Sequence, residues 1–338
     1  MQTTKISILA AIAALIITSC EQQVQMVTEI NRDGTCTRQI STKEEEWCSL
    51  PDDQWEKITP QDTSDNKTLY FRRAFSCVEE MAANPVLNAY GREIKSNASL
   101  TKRFKWFYTD FCFTETFLSW EENTEIPIAD YLSKDEASFM WTGYPNLTDG
   151  MTGIEMVDYL DKLQEKLDHW EYTVLLNCDM KLIANHYQDI ANPPVSRSEF
   201  LSLRDTLVHF GRENWYDEFE GEQDLFRDYF KSDAYDIFYK STTEYSQKYK
   251  AEGDSLLRST VAIVLIKAPY SLKMPGHVTD AGRGTVTDGV INYRFEGGFL
   301  LSGDYTITAT SRTVNIWAFI LSFIIILIAC LSLHYRKK

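Results

Sequence analysis

The sequence predicts an α+β protein, with an antiparallel sheet built from N- and C-terminal segments, a long helical insertion between them and a C-terminal transmembrane helix. Three observations lead to this class. Hydrophobicity alternates every second residue near both ends of the chain. In the middle, apolar residues recur every third or fourth position, and an uncharged apolar stretch follows the last strands.

The first residues predict a secretory signal that ends in a lipid-modified cysteine. Lys5 precedes an apolar run from Ile6 to Ile17, which is too short to span a bilayer comfortably. The four residues Ile-Thr-Ser-Cys that end at Cys20 resemble a bacterial lipobox, in which the cysteine thiol receives a diacylglycerol. An ordinary signal peptide that happens to end near a cysteine is the alternative.

The next residues predict a β-hairpin. Alternating strands over 24–30 and 35–41 flank Asp33-Gly34, a pair of residues typical of tight hairpin turns. The acidic residues of 42–67 predict a loop, and a strand is expected to follow over 69–78.

Aromatic residues dominate the segment from Ser99 to Leu118. Their parity changes within the segment, which predicts one strand with a bulge or bend near Asp110. We expect these aromatic side chains to pack in the core, and an aromatic ligand platform is the alternative.

The middle of the chain has the period of helices. From Ile154 to Cys178, apolar residues recur at spacings of three and four, which predicts a long amphipathic helix within 151–190. Further helices are predicted over 198–210 and 223–250.

Strands are expected to return after Gly253. The β-branched apolar run Thr260–Ile266 predicts a fully buried strand, and alternation predicts two more over 290–295 and 305–311. Met274-Pro275-Gly276 supplies a turn between them.

An uncharged apolar stretch from Ile316 to Leu333 predicts the membrane span. As a helix it is about 27 Å long, close to the thickness of a hydrocarbon core. Amphipathic rings near its ends and a basic tail are typical of residues that anchor a span at the two interfaces. The predicted anchor residues are Trp317, Tyr335, Arg336, Lys337 and Lys338.

The basic tail predicts the orientation of the chain. Positive residues favour the cytoplasmic side, so the residues between the two anchors are expected outside the cytosol. In a bacterium, this corresponds to the periplasmic face of the inner membrane. A eukaryotic type I membrane protein is the alternative, with glycan acceptors at Asn66, Asn97 and Asn146.

The charge balance restricts the possible partners. The chain has 34 Lys and Arg residues against 49 Asp and Glu residues, which gives a formal net charge of -15. Such an acidic chain is a poor binder of nucleic acid, and anionic lipid headgroups repel it away from its anchors. The expected partners are the membrane itself and an envelope protein or lipid ligand.

We divide the chain into five parts on these signals. They are a lipoprotein signal peptide (1–19), a sheet-forming part (20–120), a helical insertion (121–255), a sheet-completing part (256–314) and a transmembrane anchor (315–338).

The lipobox, the Asp33-Gly34 hairpin, the Met274-Pro275-Gly276 turn, the closing segment 311–315 and the terminal span together resemble bacterial membrane-anchored lipoproteins. They are also distantly similar to the LppM-like domain, and this resemblance implies a sheet-based module associated with lipid binding. It covers roughly residues 20–120 and 256–338, and the helical middle departs from the compact form of that domain.

The cysteines and histidines do not form a known catalytic or metal-binding motif. A disulfide among Cys36, Cys48 and Cys77 is possible in an extracytoplasmic compartment, and buried thiols are the alternative. Four histidines are scattered between residues 169 and 277, and the acidic run from Asp217 to Asp228 lacks the spacing of an EF-hand. We therefore expect no metal and no cofactor.

Two functions remain open. The preferred one is a non-enzymatic envelope protein that binds a lipid, a peptide or a protein partner or assists assembly. The alternative is a hydrolase of cell-wall or glycan material that uses two carboxylates. A cleft that holds a Glu or Asp with a raised pKa opposite a second carboxylate would favour the hydrolase.

The lipobox prediction can be tested by Cys20→Ser. We expect this substitution to abolish lipid labelling, because the acyl groups attach to the thiol, while the C-terminal helix keeps the chain in the membrane fraction. Metabolic labelling with palmitate and membrane fractionation measure the two results. A soluble variant would contradict the predicted span.

Overall fold

The computed structural model describes residues 24–43, 47–48, 50, 54–58, 68–215, 222–239 and 244–336. The predicted signal peptide, Cys20, Lys337 and Lys338 lie outside these residues. The described chain forms two compact units. We call them the sheet unit, which takes the described residues of 24–118, 266–296 and 304–336, and the helical unit, which takes the described residues of 119–265 and 297–303.

The predicted α+β class is confirmed. Antiparallel sheets combine segments from both ends of the chain, a helix of 33 residues lies between those segments, and one apolar helix stands at the C-terminus. Among the described strands, a single neighbouring pair is parallel rather than antiparallel, and it joins residues 26–29 to residues 270–273.

Thirteen described strands belong to the sheet unit. They are β1 (Val24–Ile30), β2 (Cys36–Thr42), β3 (Glu56–Ile58), β4 (Leu69–Phe75), β5 (Leu87–Ala89), β6 (Arg92–Ile94), β7 (Ser96–Lys105), β8 (Tyr108–Phe117), β9 (Tyr270–Lys273), β10 (His277–Asp280), β11 (Thr285–Thr287), β12 (Val290–Tyr293) and β13 (Tyr305–Val314). A seven-stranded sheet has the order β11-β12-β9-β1-β2-β4-β3, a four-stranded sheet has the order β10-β13-β8-β7, and β5 pairs with β6.

Two helices complete the sheet unit. They are α1 (Val78–Ala82) and, at the C-terminus, α8 (Ile316–Arg336). The other helices lie in the helical unit and are α2 (Lys134–Thr142), α3 (Gly153–Asn185), α4 (Arg197–Ser202), α5 (Arg204–Trp215), α6 (Glu222–Phe230) and α7 (Glu244–Leu265).

The first predicted hairpin is confirmed. Strands β1 and β2 pair from Val24 opposite Thr42 to Ile30 opposite Cys36. The Asp33 carboxylate accepts a hydrogen bond from the backbone N–H of Thr35 at 2.9 Å, and Gly34 has a φ of 100°. The turn therefore uses the short polar side chain and the conformational freedom that the sequence suggested.

The prediction of one bent strand over 99–118 is wrong. Strands β7 and β8 form a hairpin in which Lys105 pairs with Tyr108, so Trp106 and Phe107 make the turn. The parity of the aromatics changes because the chain reverses direction. Large aromatic residues are rare in tight turns, which is why turn chemistry gave no signal here.

The prediction that these aromatic side chains pack in the core is correct only for the three phenylalanines of β8. Phe111, Phe113 and Phe117 are buried, whereas the rings around the turn are exposed. The exposed ones are Phe104, Trp106, Phe107 and Tyr108.

The predicted strand Thr260–Ile266 is also wrong, because α7 continues to Leu265. The buried positions Ala262, Ile263 and Ile266 follow helical spacing. A short β-branched run that is buried gives the same sequence signal in a helix and in a strand, and here the preceding 16 residues, already helical from Glu244, set the conformation.

A buried ion pair joins the two large sheets. Arg38 on β2 donates to Glu115 on β8 with an Nη2–Oε2 distance of 2.7 Å, and neither side chain is more than 2% exposed. Tyr270 and Ser96 each donate to the same carboxylate, at 2.7 and 3.0 Å, and Thr28 accepts from Arg38 Nε at 3.1 Å. Every charge in this cluster therefore has hydrogen-bonding partners, as buried charges require.

The pKa values reflect this environment. Burial alone would lower the pKa of Arg38, but the Glu115 carboxylate beside it holds that pKa above its usual value. Burial and the same carboxylate raise the pKa of Tyr270 well above that of an exposed tyrosine. The arginine is therefore charged and the tyrosine is a neutral donor throughout the physiological range.

The helical unit is built around α3. Thr152 and Glu155 form a capping box at its N-terminus, and an apolar cluster that includes Leu176, Ile183 and Phe200 surrounds its C-terminal half. The predicted long helix within 151–190 is confirmed.

A short segment, Gly297–Ser302, packs into the helical unit between the last two strands of the chain. A Cβ on Gly297 would lie 2.1 Å from the Ile263 carbonyl oxygen, and one on Gly298 would lie 2.8 Å from the Trp141 ring. Only glycine permits this close approach of the backbone.

We expect Glu115→Gln to lower the free energy of unfolding by about 3–5 kcal/mol, because it leaves the Arg38 charge buried without its counter-ion. Arg294→Met is the control, since the Arg294 side chain is 67% exposed in its ion pair with Glu296. This control should cost about 1 kcal/mol or less. Urea unfolding of the detergent-solubilised chain measures the free energy of unfolding of both variants. Equal losses would show that the buried pair contributes no more to stability than the exposed pair.

Candidate functional site

Three of the predicted anchor residues, Trp317, Tyr335 and Arg336, lie at the ends of the C-terminal helix. Trp317 stands in the first turn of α8, and Tyr335 and Arg336 stand in the last turn, all exposed. Helix α8 has a mean hydropathy of 2.9 over its most apolar window and is the one described helix long and apolar enough to cross a membrane. The predicted membrane association thus has a structural element that can provide it.

The cysteines predicted as possible disulfide partners lie on different elements. Within the described residues, the structure forms no disulfide among Cys36, Cys48 and Cys77. Cys36 Sγ lies 3.5 Å from the carbonyl oxygen of Cys77, and burial raises the pKa of the Cys36 thiol to about 12. The Cys77 thiol accepts from the backbone N–H of Glu80 and caps α1. A disulfide among these cysteines stays a prediction.

The acidic run of the helical unit is partly described. Within it, Asp224 pairs with Arg227 at 3.0 Å, and Arg227 also pairs with Asp236 at 2.6 Å. Among the described residues, no group of three or more His, Cys, Asp or Glu side chains is arranged to hold a metal ion.

The helical unit contains a half-open cleft of about 520 Å³. Helices α3 and α5 form its two walls, and Asp130 and Tyr131, at the end of the turn Ile128–Asp130, also line it. Its polar lining residues are Asp130, Tyr131, Lys166, His169, Thr173, Arg204, Asp205, His209 and Arg212.

Helical spacing brings these side chains together. On α3, Lys166, His169 and Thr173 are separated by three and four residues, and on α5, Arg204 and Arg212 are eight residues apart. Such residues share one face of a helix, so each wall of the cleft is one helix face.

Two histidines that are 40 positions apart in sequence line the same cleft. The His169 ring packs edge-on against Tyr131 with the ring centres 4.9 Å apart. Burial and the nearby Arg212 guanidinium lower the pKa of His169, so its ring is neutral at pH 7. His209 stands on α5 and is exposed.

The cations of the cleft are held by ion pairs of different strength. Lys166 Nζ lies 2.6 Å from Glu136, and Arg204 Nε lies 2.9 Å from Asp205. Arg212 lies 3.7 Å from the exposed Glu165 carboxylate, a loose contact. The Arg204–Asp205 pair is exposed, and pairs of this kind contribute little to stability. The Arg212 side chain is 23% exposed.

A carboxyl group with a raised pKa does occur in the helical unit. Burial raises the pKa of Glu171 to about 7, and the Asp168 carboxylate on the same helix adds to the shift. With 3.6 residues per turn, Glu171 and Asp168 project from the opposite side of α3 to Lys166, His169 and Thr173. The two carboxylates therefore do not line the cleft.

This cleft was not predicted from the sequence. No motif marks it, and the histidines looked scattered because the two walls come from separate helices. Arg204, in the predicted helix 198–210, and Arg212, eight residues further along the chain, were the available signal. Comparison of the chain with protein-family models, curated proteins and solved structures finds no match.

We expect Glu171→Gln to stabilise the protein at pH 8 and not near pH 4.5. A carboxyl group whose pKa rises from 4.5 to about 7 on folding loses its contribution to stability as pH increases through that range. The gain at pH 8 is about 3 kcal/mol at most. Urea unfolding at both pH values measures it, with the exposed Asp161→Asn on the same helix as control. An equal effect at the two pH values would refute the raised pKa.

Proposed function

We propose that the chain is an extracytoplasmic membrane protein whose helical unit binds an anionic ligand, through a phosphate or carboxylate group, in the cleft between α3 and α5. One observation carries this proposal. Lys166, Arg204 and Arg212 line a single cleft together with two histidines and two carboxylates, Asp130 and Asp205, so basic side chains outnumber acidic ones there in a chain whose net charge is -15. A local group of cations in an acidic protein attracts anions to that place.

The lining side chains suit an oxyanion. A guanidinium offers parallel N–H donors that match a phosphate or carboxylate in a bidentate way, and an ammonium adds a point charge. A bound anion would replace Glu165 as the partner of Arg212 and Asp205 as the partner of Arg204. The Arg204–Asp205 pair is exposed, so its release costs little.

His169 makes the binding pH-dependent. Its ring is neutral at pH 7 because burial and Arg212 lower its pKa. An anion in the cleft favours the protonated ring, which adds a positive charge to the site. Affinity should therefore rise as the pH falls below 6.5, the ordinary value for histidine.

Membrane attachment is part of the proposal. We infer that α8 spans the membrane with its basic end in the cytoplasm, and that Cys20 carries a diacylglycerol, so that both units lie at the outer face of a bacterial inner membrane. The lipobox residues and the basic tail support this arrangement. The type I alternative would use exposed Asn97 and Asn146, and it leaves the same residues outside the cytosol.

The nature of the ligand follows from the cleft. The similarity to the LppM-like domain suggests a lipid, and a lipid phosphate headgroup has the oxyanion chemistry that the cleft selects. A free phosphate ester has the same chemistry. We propose the shared group, the phosphate, and leave its source to the experiment.

Two-carboxylate hydrolysis is the second candidate, and the raised pKa of Glu171 is the observation that favours it. A general acid needs a pKa near neutrality. Because Glu171 projects away from the cleft, the binding function is better supported.

The test uses the full chain in nanodiscs and inorganic phosphate at constant ionic strength. We expect saturable heat of binding in titration calorimetry, and Arg212→Gln should weaken it about tenfold or more, which corresponds to the loss of one charged hydrogen-bonding group. Arg258→Gln, an exposed arginine on α7 of the same unit, is the matched control. No saturable binding, or equal loss in both variants, would overturn the proposal.

The same titration with sulfate tests the role of His169, because the charge of sulfate does not change in this pH range. Affinity for sulfate should increase as the pH falls below 6.5, and His169→Gln should reduce that increase more than His209→Gln, the variant of the second histidine in the cleft. Native mass spectrometry of the purified full chain then separates the ligand sources. A lipid-sized adduct that Arg212→Gln removes identifies a headgroup, and a bare chain that still binds phosphate identifies a soluble ester.

A further inference from the structure

The turn of the β7–β8 hairpin exposes four large aromatic side chains, which we call the aromatic tip: Phe104, Trp106, Phe107 and Tyr108. Their exposed fractions are 61%, 45%, 37% and 38%. Tight turns in water usually carry small or polar residues. A cluster of exposed rings at the end of a hairpin marks a contact surface.

The aromatic tip packs against the first two turns of α8. Phe104 stacks on Trp317 with the ring centres 6.2 Å apart, and Phe107 lies 4.5 Å from Phe319. The indole N–H of Trp106 donates to Ser322 Oγ at 2.9 Å. The tip and the start of the apolar helix thus form one continuous aromatic surface.

Asn315 holds the two elements together. It is the only residue between β13 and α8, and its backbone N–H donates to the carbonyl oxygen of Phe107 at 2.9 Å. Its side-chain amide donates to the carbonyl oxygens of Lys105 and Trp106 at 3.1 and 3.2 Å. Ala318, in the first turn of α8, is fully buried at this junction.

The geometry gives the depth of the tip. Ser322 lies six residues beyond Ile316, which is about 9 Å along the helix axis. Trp106 is hydrogen-bonded at that level, so the tip extends about 9 Å past the point where the apolar helix begins. A bilayer that contains the apolar part of α8 must therefore also contain the tip.

The charges around the tip agree with a lipid surface. Lys102, Arg103 and Lys105 are exposed on the same hairpin, in a chain that is acidic as a whole. The nearby Asp110 is held by Arg312 and Lys105, at 2.6 and 2.8 Å. Aromatic rings flanked by basic residues are typical of segments that lie at the boundary between headgroups and acyl chains.

We propose that the aromatic tip inserts into the interfacial layer of the membrane leaflet that α8 enters, so that the sheet unit has a second membrane contact beside its span. This inference rests on α8 spanning the membrane, as proposed above, and it is independent of the anion cleft. The occupant of the aromatic surface is lipid, because the surface is continuous with the apolar helix.

Tryptophan quenching by brominated lipid tests the proposal on the full chain. The chain is reconstituted in vesicles of phosphatidylcholine and phosphatidylglycerol at three to one, with phosphatidylcholine brominated in the upper part of its acyl chains. The emission of Trp106 is the difference between wild type and Trp106→Phe. We expect bromination to remove about half of this difference emission or more, as for indoles at a membrane interface.

Two further variants serve as controls. The difference between wild type and Trp317→Phe gives the emission of a ring on the apolar helix itself, and we expect bromination to quench this emission. Trp55→Phe reports a ring that is 8% exposed and packed on Phe75, and its difference emission should not change. Phe107→Trp in the Trp106→Phe background returns an indole to the tip, and the emission that it adds should also be quenched.

The outcomes distinguish the membrane span of α8 from the insertion of the aromatic tip. Quenching of Trp317 and Trp106 supports insertion of the tip. Quenching of Trp317 alone overturns insertion and leaves the span intact. Quenching of neither residue overturns the span as well. In that case, Trp106 emission in detergent that becomes protected from a soluble quencher as the protein concentration rises would indicate a second protein chain on the aromatic surface.

Discussion

The buried ion pair between Arg38 and Glu115 is the constraint on which the sheet unit depends. Its two members come from different sheets and are 77 residues apart in sequence, so the pair can form only when the sheets face each other in one register. A shift of β2 by one residue would turn Arg38 to the other face and leave the carboxylate buried alone. Tyr270, from the C-terminal part of the chain, bonds to both charges and ties β9 to the same arrangement. We suggest that the pair favours one arrangement of the sheets over others more than it adds net stability.

Local chemistry made much of the fold predictable. The Asp33-Gly34 turn, the long helix with apolar residues at spacings of three and four and the apolar C-terminal helix each follow from a pattern within one segment of the chain. The predictions that were wrong had an ambiguous local signal. The run from Thr260 to Ile266 is equally compatible with a buried strand and the end of a helix, and the aromatic turn at Trp106 and Phe107 contains no turn residue.

The candidate site was not predictable in the same way. His169 and His209 line one cleft only because α3 and α5 pack side by side. A single sequence does not show which helices pack together. The buried charge pair was hidden for the same reason, since Arg38 lies on a strand whose alternation looks ordinary. The aromatic tip was misassigned because large rings usually indicate core. Here the rings lie against an apolar helix that is itself exposed, so the usual relation between hydrophobicity and depth in the protein is reversed.

The single-residue junction at Asn315 has a mechanical consequence. Many anchored domains hang from a flexible tether, and they search a volume whose radius the tether sets. Strand β13 passes into α8 through one residue whose backbone and side chain are both hydrogen-bonded, so the sheet unit has no such tether. With α8 spanning the membrane as proposed above, the height and tilt of the sheet unit above the bilayer would follow the tilt of the helix. A partner in the same membrane would then be reached at a fixed distance from the lipid, through lateral diffusion in two dimensions.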